Sequence, residues 1–155
     1  MAEAPDSLSP YVLPPDLPVP VDDGACDHLG RGPFAVFPAD LELPATDGRM
    51  VNLLRDTPLP TVLFFYPRSG VPGQPPNLGF HGEDWDTIPG ARGCTPQSCG
   101  FRDLWAEFRA EGVRVPGVAT QTTESQREFK ERTRLPFELL SDADLRLTRA
   151  MRLPT

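Results

Sequence analysis

Cys94 and Cys99, five positions apart, are the residues whose type and spacing best suit covalent chemistry. The segment around them reads Gly-Cys-Thr-Pro-Gln-Ser-Cys-Gly-Phe-Arg-Asp, and Cys94 stands where a helix is predicted to begin. Unpaired backbone N–H groups and the helix dipole stabilise an anion at that position, and Arg92 adds a positive charge nearby. The sequence therefore predicts that Cys94 is a nucleophilic thiolate.

A second thiol near such a thiolate allows a redox cycle. A thiolate that attacks a peroxide oxygen becomes a sulfenic acid, and this acid condenses with another thiol to give a disulfide. On a regular helix the Cα atoms of Cys94 and Cys99 would lie about 8.6 Å apart, beyond the ~7 Å limit for an unstrained bridge. Oxidation of the pair therefore requires the first helical turns to unwind, and Pro96 and Gly100 make this stretch a poor helix.

The cysteines also have less reactive interpretations. A lone cysteine is most often a small buried hydrophobe, and we favour that interpretation for Cys26, which has no partner nearby in the sequence. A zinc site would need a second pair of ligands beside Cys94 and Cys99, and His28 and His81 lie in unrelated loops. We therefore expect neither a metal ion nor a cofactor.

Composition limits the partners that this chain can have. Its 155 residues include 22 acidic and 15 basic side chains, a formal net charge of −7, which argues against a nucleic-acid partner. The N-terminus lacks a secretory signal pattern, and no run approaches the ~20 apolar residues of a membrane span. We expect a cytoplasmic protein with no membrane partner, in which cysteine serves as a reagent rather than as a structural staple.

The prolines and glycines divide the chain into regions. Residues 1–24 are a Pro-rich arm that we expect to be extended or disordered, and residues 25–155 form one domain. A Gly/Pro-rich insertion at about 68–93 follows a predicted strand, so it lies at the carboxyl end of that strand, where open α/β sheets bind ligands.

The apolar pattern predicts alternating strands and helices. The apolar alternation of 41–45 before Asp47-Gly48 predicts a hairpin, and the run 61–66 (TVLFFY) predicts a central strand buried on both faces. A stripe of Phe101, Leu104, Trp105 and Phe108 predicts a helix from about 96 to 110, capped by Thr95 with Pro96 at its first position. After this helix, the pattern predicts a strand at 113–118, which contains Pro116. A capping box at 123–126 predicts the start of a helix that runs to about 134. A strand at 135–140 and a helix at 143–151 follow. This order indicates an α/β fold with a partly parallel sheet.

These motifs resemble those of the bacterioferritin-comigratory or Q-type peroxiredoxins. That family has a strand ending in Tyr-Pro, a peroxidatic cysteine, a resolving cysteine five residues later and then Gly-Phe-Arg-Asp, which match FFYP at 64–67 and the segment 94–103. A looser similarity runs from about residue 39 to the end, through GVRVPGVATQ and LPFELLSDAD. The resemblance implies a thioredoxin-like α/β fold with a central mixed sheet flanked by helices.

The resemblance also implies an activity. The chain would be an antioxidant, thiol-dependent peroxidase that reduces hydrogen peroxide and organic hydroperoxides, with Cys94 as the peroxidatic cysteine and Cys99 as the resolving one. Thioredoxin or a similar dithiol would reduce the intramolecular disulfide, and we expect a monomer or weak homodimer. Pro67 would be the pocket proline, and we place Arg92 in the same substrate pocket.

The sequence departs from the family pattern at several points. The family has a threonine three positions before the peroxidatic cysteine, where Ala91 stands here, so our hypothesis is that Thr87 or Thr95 supplies the hydroxyl. The family continues beyond the region matching 151–154 with two strands, a catalytic arginine and a helix, which we expect this chain to lack. Pro116 interrupts an expected strand. The alternative function is a non-catalytic thioredoxin-like redox switch or an inactive truncated fragment.

Overall fold

The computed structural model covers most of the predicted domain. It describes residues 19, 21–31, 39–56, 60–71 and 93–154. Most of the predicted arm at 1–24 and most of the predicted insertion at 68–93 therefore lie outside the described residues, as do Thr87 and Arg92.

An antiparallel hairpin opens the folded part. Strands β1 (Glu42–Pro44) and β2 (Met50–Asn52) pair with Leu43 opposite Val51, and both of these side chains are buried. Gly48 in the connecting turn has a φ of 88°, which favours glycine because it has no Cβ. The predicted hairpin is confirmed.

Among the described residues, a parallel sheet of three strands forms the centre of the fold. Strands β3 (Phe64–Phe65), β4 (Gly117–Ala119) and β5 (Leu139–Ser141) lie in the order β3-β4-β5. An antiparallel bridge between Ala45 and Leu140 joins the hairpin to β5, so the predicted mixed arrangement is confirmed.

Strand β3 differs from its prediction. Among the described strands it pairs only with β4, and Phe65 is 39% exposed whereas Phe64 is 4% exposed. The prediction of a central strand buried on both faces is therefore wrong, because the apolar run does not reveal that one face of β3 is left partly open.

Pro116 does not interrupt a strand. It is buried directly before β4, and its carbonyl oxygen accepts a hydrogen bond from the Phe64 N–H at 3.4 Å. A proline at this point keeps its acceptor and loses only a donor, so the predicted strand at 113–118 begins at Gly117 instead.

In the part of the chain that the structure describes, four helices flank the strands. They are α1 (Cys94–Asp103), α2 (Trp105–Ala110), α3 (Thr123–Thr133) and α4 (Arg146–Met151), with a 3-10 turn at Asp27–Arg31. The single helix predicted over 96–110 is divided at Leu104, and it begins at Cys94 after Gly93, without a side-chain cap. The predicted Thr95-Pro96 cap is therefore wrong.

The cap of α3 is Thr122, one residue before the predicted capping box, and its hydroxyl accepts a hydrogen bond from the Ser125 N–H at 3.4 Å.

The sheet separates two apolar cores. Consecutive strand residues point to opposite faces, and Leu139 and Leu140 accordingly lie in different cores. One core contains the hairpin and α4, and the other contains Phe129 of α3 together with Cys94. Within the described residues, no helix is both long and apolar enough to cross a bilayer.

Candidate functional site

Cys94 lies at the junction of α1 and the parallel sheet. It is the first residue of α1, and it is 7% exposed within the core that contains Phe64 and Tyr66 of the β3 region. The Phe101 ring of α1 stacks on the Phe64 ring with centroids 4.5 Å apart, which fixes the helix over β3. The packing of α1 thus places the thiol beside the segment that leaves the carboxyl end of β3.

Two opposing effects act on the Cys94 thiol. Burial is the larger effect and raises the pKa of Cys94, because the thiolate loses its hydration. Hydrogen bonds from the backbone N–H groups of Arg68 and of Cys94 itself lower that pKa. The predicted stabilisation of the thiolate by the helix start is therefore present but is outweighed by burial, and Arg92 lies outside the described residues.

Cys99 lies in the same helix and is more accessible. It is half-buried, and neither it nor Cys94 is in a disulfide. Arg102, one turn further on, donates hydrogen bonds to the Asp103 carboxylate and to the Thr133 carbonyl oxygen, both at 2.8 Å. The pKa of Arg102 is raised chiefly by Asp103, and the charge of Cys99 adds to that effect. The bond to Thr133 joins the end of α1 to the last residue of α3, a contact that sequence analysis missed.

The loop after β3 is held by side chains from α3 and from the residues just before it. The Gln121 Oε1 accepts hydrogen bonds from the Ser69 N–H at 2.7 Å and from the Ser69 hydroxyl at 3.1 Å. The Gln121 Nε2 donates to the Ser69 carbonyl oxygen at 3.1 Å, and Arg132 donates to the Gly70 carbonyl oxygen at 2.8 Å. Sequence analysis missed these contacts, and the only signal for them is that Gln121 follows a buried strand next to β3.

Three buried polar atoms have no hydrogen bond to any described residue: the Tyr66 hydroxyl, the Ser98 hydroxyl and the Gln126 Oε1. Ser98 is one helical turn after Cys94, and the charge of Cys94 contributes to raising the pKa of Tyr66, although burial is the main cause. The Gln126 amide is close enough to lower the pKa of the phenol, even though the two groups do not reach hydrogen-bond geometry. The surroundings of Cys94 are thus polar in places as well as apolar.

The chain is similar to known proteins in sequence and in structure. The family model described as AhpC/TSA matches residues 80–155. Peroxiredoxin Q of Oryza sativa subsp. japonica is 32% identical over 117 residues, which are 76% of this chain and 43% of the relative. The crystal structure of peroxidoxin BcpB from Mycobacterium tuberculosis has a TM-score of 0.57 and 31% identity, over 75% of this chain and 63% of that one. Peroxiredoxin Q of Xanthomonas campestris has a TM-score of 0.60 and 25% identity, over 77% and 65%.

This chain is similar to the AhpC/TSA family over residues 80–155. Its peroxiredoxin relatives of the Q and bcp type confirm the resemblance seen in the sequence, and its structural neighbours confirm the thioredoxin-like α/β fold. The chain spans about half the length of the curated relatives it matches, 54% and 43% for two of them.

The structure brings together some of the predicted site residues. Cys94, Cys99 and the half-buried Thr95 share α1, and the exposed Pro67 lies directly before Arg68, whose N–H contacts the Cys94 sulfur. The structure describes neither Thr87 nor Arg92, so their predicted positions stay predictions.

The remaining sequence hypotheses concern Cys26 and metals. Cys26 is exposed, so its interpretation as a small buried hydrophobe is wrong: the following turn at Asp27–Arg31 packs Leu29 on the core instead. Within the part of the chain that the structure describes, no three His, Cys, Asp or Glu side chains form a group that could hold a metal ion.

Proposed function

We propose that this protein is a thiol-dependent peroxidase that reduces hydrogen peroxide and organic hydroperoxides. The observation that carries the proposal is the position of Cys94 at the start of α1, with two backbone N–H donors on its sulfur and a second thiol, Cys99, in the same helix. The similarity to the AhpC/TSA family over residues 80–155 and to peroxiredoxin Q supports it.

The first chemical step uses the Cys94 thiolate. The sulfur attacks one oxygen of the hydroperoxide, the O–O bond breaks, and the other oxygen leaves as an alcohol or water after taking a proton. Cys94 is then a sulfenic acid. The backbone N–H groups of Arg68 and Cys94 point at the sulfur, so they are placed to stabilise its negative charge before the attack. In this proposal Pro67, Thr95, Thr87 and Arg92 line the peroxide pocket.

The second step resolves the sulfenic acid. The Cys99 thiolate attacks the Cys94 sulfur, a disulfide forms, and the sulfenic oxygen leaves as water after taking a proton. Because both cysteines lie in one regular helix, the start of α1 must unwind first. A dithiol donor such as thioredoxin then supplies two electrons and two protons to restore both thiols. The monomeric or weakly dimeric state and the cytoplasmic location stay predictions.

The test is peroxide consumption by the reduced protein with thioredoxin and its reductase. We expect Cys94→Ser to abolish consumption, and Cys99→Ser to keep one turnover per chain but to lose turnover supported by thioredoxin. Cys26→Ser is the matched control, because Cys26 is exposed and outside α1, and it should leave the rate unchanged.

Two results would contradict the proposal. Consumption that survives Cys94→Ser would place the nucleophile elsewhere. A folded wild-type protein that forms the disulfide once with peroxide but does not cycle with any dithiol would be a redox switch. The burial of Cys94 favours the redox-switch alternative, because burial raises the pKa of the thiol and so reduces the fraction of reactive thiolate at neutral pH.

A further inference from the structure

The loop after β3 is fixed on both sides of Arg68. Before it, the Tyr66 N–H donates to the Val118 carbonyl oxygen at 3.1 Å, which continues the pairing of β3 with β4. After it, the N–H and the carbonyl oxygen of Ser69 both bind the side-chain amide of Gln121, at 2.7 Å and 3.1 Å. Only two residues, Pro67 and Arg68, lie between these fixed points, and proline restricts its own φ.

Gln121 itself is fixed by the neighbouring strand. Its carbonyl oxygen accepts a hydrogen bond from the Ser141 hydroxyl at 2.7 Å, and Ser141 is the last residue of β5. A continuous series of contacts therefore runs across the carboxyl ends of three parallel strands, from Ser141 through Gln121 to Ser69. Ser69 is 6% exposed, so water has little access to replace the amide.

We propose that Gln121 is a positioning residue for the nucleophile: its amide holds Ser69, and thereby keeps the Arg68 N–H on the sulfur of Cys94. Gln121 does not touch the sulfur in this proposal. Its side-chain amide binds Ser69 as the backbone of an adjacent strand would, because it accepts a hydrogen bond from the Ser69 N–H and donates one to the Ser69 carbonyl oxygen. The inference adds a residue to the proposed peroxidase site, but the contact it describes exists whether or not the protein turns over peroxide.

The test is the pKa of the Cys94 thiol, measured from the pH dependence of its alkylation by iodoacetamide and read by mass spectrometry of the Cys94 peptide. Gln121→Met keeps the length of the side chain but can make none of the three hydrogen bonds. We expect it to raise the pKa of Cys94 by about one unit, which is roughly tenfold slower alkylation at pH 7.

Two control variants separate positioning from general loss of stability. Ser69→Ala removes only the hydroxyl contact and keeps both main-chain contacts with Gln121, so the pKa should rise by less than about 0.3 unit. Thr148→Val removes a buried hydrogen bond of 2.7 Å between α4, which packs in the opposite core, and Asp142. It should lower stability and leave the alkylation profile of Cys94 unchanged.

The proposal is overturned if folded Gln121→Met alkylates as the wild type does, or if Thr148→Val raises the pKa equally. Hydrogen exchange in the wild type tests it without any variant: the Ser69 amide must exchange slowly, and exchange as fast as in an exposed loop would also overturn it. Alkylation needs no peroxide, so an inactive protein with the expected shift would contradict the proposed function and leave the role of Gln121 standing.

Discussion

Competing effects on one sulfur determine the reactivity of Cys94. Burial disfavours the thiolate, whereas two backbone N–H groups favour it, and burial has the larger effect on the pKa. A helix start and a cysteine can be read from a sequence, but the depth of the thiol in the core cannot, because it depends on the packing of Phe101 against Phe64. The reactivity of Cys94 therefore cannot be predicted from the sequence alone, because the burial of its thiol must be known from the structure.

The burial of Cys94 makes stability depend on pH. Since the folded pKa is raised above that of the unfolded chain, the unfolded state loses its proton first as the pH rises, and the folded state is destabilised above about pH 8.5. We expect the free energy of unfolding of the reduced protein to fall by up to about 1.4 kcal/mol per pH unit more steeply than in Cys94→Ser. Urea denaturation between pH 7.5 and 10 measures this, with Cys26→Ser as the control that keeps the wild-type slope. If the free energy of unfolding changes with pH equally in wild type and in Cys94→Ser, burial is not the dominant effect on the pKa of Cys94.

At the element scale, the contact between β4 and its neighbours leaves no room for a side chain at Gly117. A Cβ there would lie 2.6 Å from the Phe64 ring and 2.8 Å from a Leu139 methyl group. Phe64 carries the stacked ring of Phe101, so a displaced Phe64 moves α1 as well. We expect Gly117→Ala to lower the free energy of unfolding by about 1–3 kcal/mol. Urea denaturation measures the change, and an unaltered midpoint would mean that the rings shift without cost.

Gly100 in α1, unlike Gly117, has room for a side chain. A Cβ there would meet nothing within 4 Å, so alanine adds helix propensity without a clash. We expect Gly100→Ala to stabilise the folded protein by about 0.5–1 kcal/mol. Because the disulfide requires α1 to unwind, we also expect its formation to slow by roughly threefold. Stopped-flow oxidation of the reduced protein measures the rate, and a faster rate in the stabilised variant would argue against unwinding.

Elements that depend on local signals can be predicted from the sequence, whereas contacts between distant segments cannot. Periodicity and a turn signal are local, so the hairpin was predicted with its turn at Gly48. The open face of β3 depends on which strands lie beside it, and the apolar run of 61–66 carries no such information. The hold of Gln121 on Ser69 joins residues 52 positions apart, and no local pattern specifies it.

At the scale of the whole molecule, the helix that contains Cys94 and Cys99 packs on one side of the sheet. The core that contains Cys94 is built by α3, by the strands and by the aromatic side chains of α1 and α2, whereas the hairpin and α4 stabilise the opposite face. A change in α1 therefore removes packing from one core and leaves the other intact. This arrangement allows the cysteine helix to open while the rest of the sheet stays folded.

The two redox states should accordingly differ in stability. A bridge between Cys94 and Cys99 does not fit a regular helix, so the oxidised protein must give up the first turns of α1 and part of the packing of Phe101 on Phe64. In a Cys26→Ser background, which prevents bridges through the exposed cysteine, we expect oxidation by diamide to reduce helical circular dichroism and to lower the free energy of unfolding by roughly 1–3 kcal/mol. Dithiothreitol should restore both values, and the same treatment of a Cys99→Ser variant should change neither. An oxidised protein with full helix content and higher stability would show instead that the two cysteines bridge without unwinding, and the order of steps proposed for resolution would then be wrong.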